Sequence, residues 1–229
     1  MGYLFEMHYH TREVSPCGSV PAAEGVRAYG EKGYAGIVVT DHFFRDYFAS
    51  LPDSLSWPEK IEQYLEGYRL ARKAGEECGV RVLLGMELRF LHSSNDYLVY
   101  GITEELLKTT EAPYEWTEKA FSRFAREHGL LFVQAHPFRP GLTRCDPALL
   151  DGVEIYNGNR RHNSHNDDAA AFAKENGLLT LAGADFHEWE DLQLAGAEFE
   201  EMPEDSAALV RLLQRGAYVL RTGETIRKG

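Results

Sequence analysis

Residues 35–42 read AGIVVTDH: a short apolar run, rich in β-branched side chains, that ends on Asp41 and His42. A run of that length and composition predicts a buried strand. The same figure recurs along the chain. Residues 80–86 (VRVLLGM) lead into Glu87, residues 130–135 (LLFVQA) lead into His136, and a strand at 178–182 leads into Asp185 and His187. The first strand, 4–8, ends on His8 and His10, and a strand at 152–156 carries Glu154. Between these runs lie amphipathic segments. Helices are predicted over 21–32 (opened by Pro21), 58–79 (opened by Pro58, closed by Gly79), 115–128 before Gly129, 165–176 before Gly177, and 205–215. Short strands at 97–101, near 194–199 and at 217–220 complete the pattern.

Repeated alternation of strand and helix implies a mostly parallel sheet. With at least seven β/α units and no linker or repeat in 229 residues, a barrel is more economical than an open sheet. The first turn, HYHTREVSPCG, also lacks the glycine-rich phosphate turn of a doubly wound fold. The expectation is an α/β fold, a distorted seven-stranded (β/α) barrel of TIM type, as a single domain over residues 1–229.

Composition narrows the partners. Hydrophobic residues make up 44% and charged residues 26%, ordinary globular usage. No apolar run approaches the roughly 18 residues of a membrane helix. MGYLFEMHYH has neither the basic nor the apolar region of a signal peptide. Cys17, Cys78 and Cys145 show no pairing pattern and read as reduced thiols, so the expected compartment is the cytoplasm. The net charge is −12, and the densest basic pairs, Arg160–Arg161 and Arg227–Lys228, make no track. Long nucleic acid and membrane are therefore not expected as partners, whereas a small phosphorylated molecule is compatible.

The titratable residues carry the functional signal. Strand C-termini meet at one face of a parallel barrel, so His8, His10, Asp41, His42, Glu87, His136, Glu154, Asp185 and His187 should converge there. Residues i and i+2 of a strand point the same way, so His8 and His10 can hold one ion together. Imidazoles mixed with carboxylates suit Zn, Mn or Fe better than Ca or Mg. Crowded together without cations, they would repel or stay half protonated.

These motifs resemble the PHP (polymerase and histidinol phosphatase) family of metal-dependent phosphoesterases. The resemblance rests on HYHT at 8–11, TDH at 40–42, GMEL at 85–88, AHP at 135–137 and GADFH at 183–187. It implies two or three divalent ions: one held by His8, His10, Glu87 and Asp185, a second by Glu87 and His136, a third by His42 and His187. Many members have a histidine where this chain has Asp96, so Asp96 is expected to complete the second site, with His92 as rival. The first loop offers the third site only Glu13, Ser15 and Cys17.

The expected activity is hydrolysis of small phosphomonoesters by a metal-activated hydroxide. His42, Asp41 and His187 are the catalytic candidates, and Glu13 and Glu154 are expected behind the ligands. Arg45, Arg139, Arg160 and Asn157 are the phosphate-binding candidates. His128 fits a helix end, and His162 and His165 flank the next helix. The alternatives are a nuclease acting on short oligonucleotide ends, a metal-dependent amidohydrolase, and a non-catalytic metal-binding module.

Overall fold

A computed structural model describes residues 2–223 of the chain; Arg227 and Lys228, and the ends of the expected 1–229 domain, lie outside the described residues. Among the described residues ten strands make one sheet: β1 (Tyr3–Tyr9), β2 (Gly36–Val39), β3 (His42–Phe43), β4 (Arg81–Arg89), β5 (Asp96–Tyr100), β6 (Leu131–Gln134), β7 (Gly152–Asn157), β8 (Leu179–Gly183), β9 (Ala195–Phe199) and β10 (Tyr218–Thr222). Their order is β10-β9-β1-β2-β4-β5-β6-β7-β8, with β3 paired to β4. The described residues also form eight α-helices: α1 (Ala22–Glu31), α2 (Arg45–Ser50), α3 (Trp57–Tyr64), α4 (Glu66–Cys78), α5 (Glu104–Thr109), α6 (Glu118–Glu127), α7 (Asn166–Asn176) and α8 (Ser206–Gln214).

The sheet nearly closes on itself. Past β8 the chain runs beside β1, where Phe186 bridges Tyr9 in parallel. Phe186 N donates to His8 O and His10 N donates to Phe186 O, both at 3.0 Å. Across the barrel, Tyr100 Oη of β5 donates to Met7 O of β1 at 3.0 Å, although β2 and β4 lie between those strands in the sheet.

The barrel differs from the expected one in strand count and direction. The run at 35–40 stops at Val39 and resumes as β3, while β9 and β10 add an antiparallel margin beside β1. β5 is antiparallel to both β4 and β6. Only residues 90–95 separate β4 from β5, too few for a crossover helix, so the chain must turn back as a hairpin. That reversal has a functional consequence. The first residue of β5, Asp96, pairs in register with Arg89 at the end of β4, on the rim where the parallel strands finish.

The helix expected over 58–79 is two helices, α3 and α4, divided at Leu65. The break falls beside the turn after β2: Tyr64 Oη donates to Asp41 O at 2.7 Å. A Cβ on Gly67 would lie 2.1 Å from Thr11 Oγ1, so only glycine permits this approach. The short helices α2 and α5 have too few turns to show a period in the sequence. The helix expected from 115 begins at Glu118, where Thr117 Oγ1 accepts Ala120 N and caps it.

Glu6 closes the seam between β1 and β8. Its carboxyl is fully buried; Oε1 accepts His8 N and Ala184 N at 2.8 Å, and Tyr29 Oη donates to Oε2 at 3.2 Å. Burial outweighs those hydrogen bonds and pushes the Glu6 pKa from 4.5 up to about 8. Between those values the folded chain holds a proton that the unfolded chain has lost, so Glu6 makes stability fall as pH rises through that window. Glu6→Gln keeps an acceptor for both amides and cannot ionise. In thermal melts of metal-free protein, Glu6→Gln should match the parent near pH 5 and melt higher near pH 9. Parallel profiles for the two proteins across that range would contradict the assignment.

Candidate metal centre

One carboxylate, Glu87 at the C-terminal part of β4, sits among four imidazoles. Its Oε1 lies 3.1 Å from His8 Nε2 and 3.3 Å from His136 Nε2. Its Oε2 lies 2.7 Å from His42 Nδ1 and 3.4 Å from His10 Nε2. Asp185, just past β8, adds Oδ1 at 3.4 Å from His8 Nε2 and 3.5 Å from His10 Nε2. These are the separations of neighbouring donors on one ion whose bonds are about 2.0–2.2 Å long. Among the described residues, His8 Nε2, His10 Nε2, His42 Nδ1 and both Glu87 oxygens are buried without a hydrogen-bond partner. Buried polar atoms left so are costly unless something fills the space between them. Divalent ions fit that space, and the donors group as an ion would need: His8, His10 and Glu87; His8, His136 and Asp185; Glu87, Asp96 and His136; His10, His42 and His187.

Residues behind the donors fix which ring nitrogen faces inward. His8 Nδ1 bonds Glu154 Oε1 at 2.9 Å, His10 Nδ1 meets Ser15 Oγ at 3.1 Å, and His187 Nδ1 bonds Asp185 O at 3.0 Å. With Nδ1 engaged, each ring presents Nε2, an arrangement typical of metal-ligating histidines. Glu154 Oε2 also accepts His136 N and Asn157 Nδ2, both at 3.0 Å. The backbone is strained at two of the donors: His136 (φ 30°) and Asp185 (φ 53°) take left-handed conformations that non-glycine residues seldom adopt.

Charge is balanced here by protons. Burial lowers the pKa of His8, but Asp185, Glu154 and Glu87 raise it well above the ordinary value. Burial likewise lowers His42, while Glu87 carries it up to about 10. Burial and the neighbouring His187 and His42 hold His10 well below its usual value. Burial raises Glu87 and Asp185, yet the surrounding imidazoles, His8 foremost, hold both well below the carboxylate range.

A cavity of about 150 Å³ opens over the cluster, and its rim carries Cys17, Arg89, Arg139, Asn159, Arg161 and His162. Larger hollows of about 450 Å³ lie elsewhere, one between α4 and the residues before α8, but none of the clustered donors lines it.

Several side chains singled out in the sequence lie elsewhere or do other work. Asp41 does not face the cluster: its carboxylate accepts Thr11 N and Thr11 Oγ1 at 2.7 Å and Ser15 Oγ at 2.8 Å, clamping the first loop. Glu13 accepts Ala22 N at 3.0 Å and so serves the first turn of α1. Arg45 is exposed against Asp46, and Arg160 is exposed away from the cavity. His92 bonds Glu118 at 2.8 Å outside the cluster, whereas Asp96 Oδ2 lies 3.9 Å from His136 Nε2. Arg139 reaches in, donating from Nη2 to Asp185 Oδ2 at 2.7 Å and Asn157 Oδ1 at 3.1 Å.

Three rim residues were not foreseen. Arg89 grips Asp96 through two bonds of 2.7 and 2.8 Å. Arg161 is held by Asp191, whose Oδ2 also accepts His187 N. Asn159 donates to Asp185 O at 3.1 Å. The i, i+2 relation of Glu87 and Arg89 was the available signal for Arg89; nothing in the sequence separated Arg161 from Arg160.

No family model and no curated protein matches the sequence. Solved structures do match the fold. A two-domain protein from Bacteroides vulgatus containing a predicted PHP-like metal-dependent phosphoesterase superposes with a TM-score of 0.68 at 15% identity, covering 97% of this chain and 65% of that one. This chain thus spans about two thirds of that protein. PsfC from Pseudomonas syringae gives 0.64 at 18% identity, covering 100% and 93%. An amidohydrolase from Chromobacterium violaceum, with bound sulfate and no metal, gives 0.51 at 15%, covering 94% and 97%.

Ions that bind only the folded cluster must stabilise it, by about 2.7 kcal/mol per site at roughly a hundredfold excess over the dissociation constant. Zinc or manganese added to chelated protein should therefore raise the melting temperature, and Glu87→Gln should lose most of that rise together with bound metal. Equal melting of chelated and loaded protein would show that these donors do not form a metal site.

Proposed function

We propose that this chain, whose fold is that of the PHP-like metal-dependent phosphoesterases, is a metal-dependent hydrolase of small phosphomonoesters. The observation that carries the proposal is the orphaned donor set of Glu87 and its imidazoles beneath a rim of arginines. His8, His10, Glu87 and Asp185 would hold one ion, Glu87, His136 and Asp96 a second. Bound there, divalent ions supply Lewis acidity toward the phosphoryl oxygens and the attacking water.

The chain's own residues bind and orient the substrate. Arg139 is the inner phosphate donor, because its Nε is buried and unpartnered among the described residues while its Nη2 is fixed by Asp185 and Asn157. Arg161 and Arg89 stand farther out, each steadied by a carboxylate. A planar fork of donors suits phosphate oxygens better than an amide carbonyl, which favours an ester of phosphate over an amide. The cavity is well below the roughly 300–1,000 Å³ of sites that enclose a drug-sized ligand. It takes a phosphate group and leaves the alcohol part at the mouth. Beyond a screening length of about 8 Å the acidic surface would not hold a long polyanion. The compartment in which this happens is proposed as the cytoplasm, in line with three free cysteines; among the described residues no helix is long and apolar enough to cross a membrane.

A panel of phosphomonoesters, amides and oligonucleotides, run on metal-loaded protein, tests the reading. Phosphomonoesters should turn over fastest, and Arg139→Ala should lose about ten- to a hundredfold in kcat/KM, the worth of a charge-assisted pair, with its metal content measured alongside. Turnover of amides alone would establish the amidohydrolase alternative, and turnover of oligonucleotides alone the nuclease.

A further inference from the structure

The first loop brings a thiol to the metal centre. Cys17 Sγ lies 3.0 Å from His42 Nε2, and Cys17, His42 and His187 line the same cavity. Both rings belong to the group in which His10, His42 and His187 place their nitrogens within 4.8 Å of one another. Within it His10 Nε2, on a ring only 1% exposed, has no partner among the described residues. The loop is fastened to both neighbours of the thiol. Ser15 Oγ accepts His42 N at 3.1 Å and donates to Asp41 Oδ1, Gly18 N donates to Ser15 O at 2.8 Å, and Ser19 N donates to His187 O at 2.9 Å. Cys17 is therefore held over the imidazoles by ties on either side of it. Cys78 and Cys145 contact none of these rings.

We propose that Cys17 is a metal ligand, which with His42 and His187 forms a third position that takes a thiophilic divalent ion such as zinc. The step is an exchange: the thiol gives its proton to solvent and the sulfur takes the ion, with no change of oxidation state. His187 is preset for this role, since Nδ1 is spent on Asp185 O and Nε2 keeps the free lone pair. A thiolate among imidazoles prefers zinc, cobalt or iron to manganese or magnesium, so this position differs in metal preference from the carboxylate-rich pair around Glu87. The inference rests on the proposed metal centre and adds a ligand and a selectivity to it.

Cobalt provides a readout independent of activity, because sulfur ligation gives a near-ultraviolet charge-transfer band that nitrogen and oxygen ligation do not. Chelated protein reloaded with cobalt should show that band, and elemental analysis should find one more ion per chain than in Cys17→Ser, which should lack the band. Cys17→His should regain the ion without the band. Loaded protein that holds two ions and shows no band overturns the thiolate ligand and leaves the phosphoesterase reading standing. An unchanged ion count and spectrum in Cys17→Ser overturns it as well. Protein that binds no cobalt at all overturns both.

Discussion

Glu87 is one buried carboxylate faced by four imidazoles, with neither oxygen hydrogen-bonded among the described residues. Such a cluster is tolerable inside a protein only when positive charge is bound in it. Without ions, protons on His8 and His42 meet that demand, which is why their affinity for protons is raised while Glu87 and Asp185 stay ionised. Divalent ions meet it better, because they satisfy lone pairs on several donors at once. The whole upper end of the barrel is arranged around this requirement.

The barrel supplies the convergence. β1, β4, β6 and β8 end on the same rim, and the antiparallel β5 starts there, so Asp96 joins a set it would have missed had the sheet been wholly parallel. The remaining polar residues keep the donors still. Glu154 ties His8 of β1 to the backbone of His136, and Glu6 ties β1 to the segment after β8. Asp41 spends its carboxylate on the first loop, and that loop in turn carries Ser15 against His10 and Cys17 against His42. Strained backbone at His136 and Asp185 is the local cost of aiming those side chains inward.

Much of this was legible in the residues. A histidine or carboxylate after each of several apolar runs located the rim, and the i, i+2 spacing of His8 and His10 gave their shared face. What failed was sequence proximity as a guide to direction. Asp41 adjoins His42, yet successive residues of an extended chain point to opposite sides, and its carboxylate turns to the loop. Arg160 and Arg161 are neighbours, and only the distant Asp191 decides which one lines the cavity. Asp191 itself, a residue in a three-residue turn, has no pattern that marks it. The hairpin between β4 and β5 was not read either, because the strands expected at 80–86 and 97–101 left residues 87–96 between them, whereas β4 runs on to Arg89 and leaves only 90–95. Nor was the division of α3 from α4, since the Tyr64–Asp41 bond beside it joins segments far apart in sequence.

The most direct test of the charge-balance account is calorimetric titration of zinc into chelated Cys17→Ser protein, which has no thiol proton to lose at the centre, at pH 7 in buffers of different ionisation enthalpy. Ions that replace protons on His8 and His42 must release them to the buffer. The account predicts saturable binding whose heat varies with the buffer in proportion to its ionisation enthalpy, with that dependence reduced in His42→Ala. Saturable binding whose heat is the same in every buffer would contradict it, because the cluster would then have carried no protons for the metal to displace.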